Sequence, residues 1–141
     1  MADVTVTAAD VKPLPGAVVR RYDADATLYA GNAVYLKSDG EVAQADADTA
    51  ANARAIGLAV AGPEGKTTFL AGDALDVVVG GPVAGFSSLT PGTYLFSSTT
   101  AGAIADAAAT TQADYIWVIG YAEAAARMYV QPWTDDIAAI S

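Results

Sequence analysis

The chain has 141 residues, the size of one ordinary domain, and 53% of them are hydrophobic against 16% charged. Sixteen acids face seven bases, a net charge of −9, which repels phosphate backbones and argues against direct nucleic-acid binding. Cys and His are both absent, which removes disulfides, the commonest general base and the commonest neutral metal ligand.

The chain opens on "MADVTVTAAD", which has Asp3 and no basic n-region and so does not read as a signal peptide. Apolar runs stay far below the roughly 18 residues that span a bilayer, so no membrane partner is expected. "VTVT" (Val4–Thr7) alternates apolar with polar residues. As part of an extended arm over residues 1–15, its Val4 and Val6 are candidates for adding a strand to a neighbour's sheet. Short strands follow in "AVVRRY" (Ala17–Tyr22), "ATLYA" (Ala26–Ala30) and "AVYL" (Ala33–Leu36). Ser38-Asp39-Gly40 then supplies a hairpin turn. One or two helical turns are expected near Thr49–Arg54. "AIGLAVA" and "KTTFLA" flank "GPEG" as a second hairpin. "LDVVV" (Leu75–Val79) reads as a buried strand closed by "GGP", and "TYLFS" follows the turn pair Pro91-Gly92. "YIWVIGYA" (Tyr115–Ala122) is the strongest strand, with "RMYVQ" as its partner. No long stripe of period 3.6 occurs, and turn signals recur every eight to twelve residues or so, the pattern of an all-β domain.

The chain also repeats itself. Gly31 before "AVYL" matches Gly92 before "TYLF", Gly40 matches Gly102, and Ile56-Gly57 matches Ile119-Gly120. These matches predict two similar β units, 31–61 and 92–124, within one domain over residues 16–141. The expected architecture is a compact sandwich or barrel-like domain, in which each unit covers the other's apolar face.

Reactive chemistry is thinly represented. "GPEGKT" (Gly62–Thr67) ends like a phosphate-binding loop, but Val60 stands where the first Gly belongs and no helix follows. The pairs Asp23/Asp25 and Asp46/Asp48 lack the Gly and terminal Glu of an EF-hand loop, so they read as solvated loop carboxylates and no metal is expected. Ser87-Ser88, Ser97-Ser98 and Thr99-Thr100 have no His to activate them, and no spacing supports a pairing with Lys12, Lys37 or Lys66. Glu41, Glu64 and Glu123 all sit at turn-like positions and suggest no glycosidase pair. No catalytic residue and no cofactor is therefore expected. Trp117 alternates with apolar neighbours and reads as core. Trp133, after Pro132, is either an intermolecular contact or a plug at the core edge.

The order "AGNAVYLKSDGEVAQADAD", "ARAIGLAVAG", "AGDALDVVVGG", "LTPGTYLFSSTTAGAIADA" and "VIGYAEAAARMYV" resembles small capsid decoration (cement) and head-fibre proteins of tailed bacteriophages. The likeness is one of turn-and-strand layout and covers nearly all of the chain. It implies an all-β structural protein, commonly a homotrimer, made in the host cytoplasm and sited on the outer surface of the virion where major capsid subunits meet. Val4, Val6 and Trp133 are the expected capsid or subunit contacts. The alternative is a receptor-binding or adhesive β module of a phage or bacterial surface, which an exposed aromatic shelf for sugars would favour.

Overall fold

The computed structural model describes residues 3–108 and 114–133, and the backbone of 138 and 139. Among the described residues, fifteen strands follow in chain order: β1 Thr5–Val6, β2 Val18–Asp23, β3 Leu28–Tyr29, β4 Ala33–Leu36, β5 Val42–Gln44, β6 Ala55–Ala59, β7 Thr68–Phe69, β8 Ala74–Ala84, β9 Phe86–Ser87, β10 Tyr94–Ser97, β11 Ile104–Ala105, β12 Tyr115–Ile116, β13 Val118–Ala124, β14 Arg127–Val130 and β15 Ala138–Ala139. The single α-helical turn among the described residues, α1, spans Ala50–Ala53. It starts where the Thr49 hydroxyl accepts the Asn52 N–H, an ordinary N-cap. The chain is all-β and compact.

Two units carry the fold, and they pair their strands alike. In the first, β4 lies antiparallel between β5 and β6; in the second, β10 lies antiparallel between β11 and β13. Ala33, Val34 and Tyr35 face Leu58, Gly57 and Ala55, with a register shift after Val34. Tyr94, Leu95 and Phe96 face Tyr121, Gly120 and Val118, with a register shift after Leu95. The flanking turns agree too. The Gly31 N–H donates to the Ala59 carbonyl (2.7 Å) and the Gly92 N–H to the Ala122 carbonyl (2.8 Å). In both units, the glycine beside the bulge lets the next strand come close. A Cβ on Gly57 would collide with the Val78 carbonyl, and one on Gly120 with the Tyr129 carbonyl.

A single strand serves both units. The first part of β8 follows β6 and is itself flanked by β2, while Val83 and its neighbours pair with β14 of the second unit. The strand therefore continues through "GGP", where the sequence suggested an end. The bend falls at Gly81, whose φ of +101° is open to glycine and whose α-carbon lies where any Cβ would strike the Ala17 backbone. Pro82 survives inside the strand, with its carbonyl accepting the Leu14 N–H (3.0 Å).

The bend turns the two units toward each other. The main core lies between them and joins Ala33, Ala55, Leu58 and Val78 of the first to Leu95, Ile119, Met128 and Val130 of the second. A smaller core covers the other side of the first unit, where Val34, Ala59 and Val77 lie under Leu28 and Phe69. β3 and β7, which carry those two residues, pair with each other. "GPEG" is accordingly a tight loop between strands that do not pair, because β7 is drawn to β3 rather than back to β6. The long strand expected over 115–122 also breaks at Trp117. There the indole is buried and donates to the Ala55 carbonyl (3.0 Å), tying the two units together.

The N-terminal stretch is extended but does not project. It runs antiparallel along β8 and β9: Thr5 and Val6 face Ser87 and Phe86, Pro13 bridges Val83, and β2 continues the pairing to Asp23 and Ala74. Val11 is fully buried on the way. Alternation in "VTVT" that suits a neighbour's sheet suits the chain's own sheet equally well.

Candidate functional site

The expected contact residues separate. Val4 and Val6 are half-buried and pack against the main core. The Val4 N–H donates to the Ile104 carbonyl (2.8 Å), so this residue extends the edge strand β11 of its own second unit. Gly31 leaves the space that the Val6 side chain fills. Trp133 is 39% exposed. Its ring meets buried Trp117 edge to face at 6.1 Å and its backbone N–H donates to the Val118 carbonyl (3.0 Å), so it plugs a core edge and shows a face to solvent.

That face borders a groove of about 520 Å³ whose walls include Tyr94, Phe96, Tyr121, Gln131, Pro132 and Trp133. Strand pairing places Tyr94 opposite Tyr121 and Tyr121 opposite Tyr129. The rings of Tyr121 and Tyr129 stack at 5.4 Å with 16° between their planes. Tyr94 is 62% exposed. Among the described residues, the groove lining contains no charged side chain. The sequence reading marked Trp133 but missed the tyrosines. Their alternation along "TYLF", "IGYA" and "RMYV" was visible, but which side of the strands would be left open was not.

The hydroxyl and carboxylate groups are engaged in local structure. Ser97 donates to the Ala53 carbonyl (2.8 Å) and Ser98 to Asp3, holding the α1 turn and the N-terminus on the second unit. The Asp46 carboxylate accepts the Asp48 N–H (3.1 Å), and partial burial raises its pKa above the usual carboxylate value. Asp25, Asp39 and Glu41 gather within 4.8 Å of one another. The Lys37 ammonium sits 2.8 Å from Asp25 and 4.0 Å from Asp39, so the cluster already holds a cation of its own. The hydrogen bond to Asp25 raises the Lys37 pKa, and the Glu41 N–H lowers that of Asp39. In "GPEGKT", the Lys66 ammonium pairs with Asp73 (3.2 Å) and lies 5.5 Å from the centre of the Phe69 ring; β7 follows where a phosphate loop would open a helix.

No protein-family model matches the sequence, and no curated protein matches it. The aromatic face offers flat rings, phenol hydroxyls and the Gln131 amide on paired strands.

Proposed function

We propose that this protein is a structural decoration (cement) protein of a tailed bacteriophage head. It binds the outer surface of the shell as a homotrimer where major capsid subunits adjoin, and it braces them. The observation that carries this reading is the order of strands and turns on which the resemblance rests, in a chain that folds as a compact all-β body. The surface supports it. An excess of nine acidic charges keeps copies apart before assembly. Four of the seven bases, Arg21, Lys37, Lys66 and Arg127, are paired with acids of the same chain. Attachment to the shell therefore relies on apolar and backbone contacts. Several copies acting as one unit multiply weak contacts through high effective concentration.

The test compares decorated with undecorated shells. Decorated shells survive heat or chelator treatment that bursts bare ones, and the difference persists in about 0.5 M salt, where the Debye length falls to about 4 Å. Equal survival overturns the cement role and favours the adhesive module. Protection lost in salt keeps the role and overturns the apolar mechanism.

A further inference from the structure

The two units do more than repeat; they stack in one sense. Strand pairing makes Tyr94 the counterpart of Ala33, Tyr121 of Leu58, Val118 of Ala55 and Tyr129 of Val78. The four residues of the first unit all lie in the main core. On the opposite side of each sheet, Leu95, Ala122 and Met128 correspond to Val34, Ala59 and Val77. The first three lie in the main core, and the last three lie in the smaller core beneath Leu28 and Phe69. The layers thus run in order: a roof, the first unit, the main core, the second unit, and then the tyrosine face. The near end of the stack is roofed. Among the described residues, the far end is not. A stack of like units needs a polar outer layer or a cover at each end. This end carries aromatic rings instead.

We propose that the outer tyrosine face of the second unit is the surface through which copies of this chain meet. The charge distribution selects a second copy as the occupant. Two molecules of net charge −9 repel over most of their surfaces. Among the described residues, neither the tyrosine groove nor the adjoining hollow beside Val18 is lined by a charged side chain, so copies meet there with few opposing carboxylates. A basic partner is drawn instead to the acidic excess elsewhere on the surface. The face is also preorganised. Tyr and Trp have few rotors to freeze, and Tyr121 and Tyr129 are already stacked. Val18, 52% exposed, extends the apolar surface past Tyr129.

The inference deepens the homotrimer of the proposed function, and its test uses pure protein so that the two can fail separately. Light scattering over a concentration series gives the mass of the wild type and of Tyr94→Lys and Val18→Lys. Both positions are more than half exposed, so the variants fold, as circular dichroism and the melting temperature verify. Each substitution raises the dissociation constant of the assembly at least about thirtyfold. Leu70→Lys, equally exposed on the chain segment after β7, leaves it unchanged. Acrylamide quenching supplies a second reading, because assembly shields Trp133 while Trp117 is already buried. An assembly that keeps its mass in both lysine variants overturns the inference and leaves the homotrimer standing. A wild type that stays monomeric at every concentration overturns both, as does a monomer whose groove takes up a neutral oligosaccharide. An assembly that dissociates with Tyr94→Lys but ignores the shell supports the inference and removes the capsid role.

Discussion

Gly57 and Gly120 offer a direct test of the doubled architecture, because they hold the same place in the two units. Replacing Gly57 with Ala puts a methyl group 2.9 Å from the Val78 carbonyl carbon and closer still to its oxygen. The same change at Gly120 puts one 3.0 Å from the Tyr129 carbonyl carbon, again with the oxygen nearer. Non-bonded heavy atoms rest well over about 3 Å apart, and the carbonyl oxygens lie nearer than these carbons, so adjacent strands must part by about 1 Å or more. Nearby bonds then stretch beyond useful length: Val60 N–H to the Asp76 carbonyl (3.1 Å) in the first unit, and Gln131 N–H to the Ile119 carbonyl (2.8 Å) in the second. The one such bond in each unit contributes about 1 kcal/mol, and loosened packing adds about 1–2 kcal/mol. The gain from a stiffer unfolded chain, about 0.4–1 kcal/mol, offsets part of this. Each substitution should therefore cost about 1–2.5 kcal/mol, a sizeable share of the roughly 5–15 kcal/mol that holds a domain folded. Gly80→Ala is the control, since nothing lies within 4 Å of its Cβ and its φ is not positive. Urea denaturation reads all three. If Gly57→Ala and Gly120→Ala unfold at the same midpoint as Gly80→Ala, the close strand approach and the equivalence of the units are both wrong.

Deleting Met1–Ala9 should lower stability by about 2–4 kcal/mol in thermal or urea unfolding, because Val4, Val6 and Ala8 pack on the main core; an unchanged midpoint would show a dispensable arm. Trp117→Phe leaves the Ala55 carbonyl without its indole partner and should cost about 1–3 kcal/mol with no change in secondary structure by circular dichroism. Asp73 accepts the Leu70 N–H and pairs with Lys66, which lowers its pKa; its stabilisation is present above the unfolded value near 4 and fades as pH falls through the lower folded value. Asp46 behaves oppositely: burial raises its pKa, so its charge opposes folding at neutral pH, and that opposition fades as pH falls below the raised folded value and is gone below the unfolded one. Carboxyl titration by NMR should place Asp73 below Asp46, and the reverse order would contradict the described environments.

The doubling was legible because it rests on residues whose type is dictated locally. Glycines at 31, 57, 92 and 120 mark turns and close approaches, and Ile56 and Ile119 sit at the bulges beside them. The hairpin at Ser38-Asp39-Gly40 and the turn at Thr49–Arg54 were legible for the same reason. What escaped was non-local. "GGP" looks like a terminus because Gly and Pro usually end strands, yet here they bend one strand into a second sheet. "VTVT" shows alternation but not whose sheet it joins. The tyrosine face was hidden because period-2 spacing says that Tyr121 and Tyr129 share a side, and only the layer order tells which side is roofed.

The shared strand also dictates when the molecule can close. Residues 5–23 find their pairing edge only in residues 74–87, so during synthesis the first strands wait, unpaired, until most of the first unit has emerged. Neither unit is complete before β8 has bent, since its first part finishes one and its later part flanks the other. Long loops must be closed before these contacts form, which places folding in the slow range for small domains, milliseconds to seconds. The N-terminal strands lie along that same stretch, so one segment of chain holds both units and the N-terminus together.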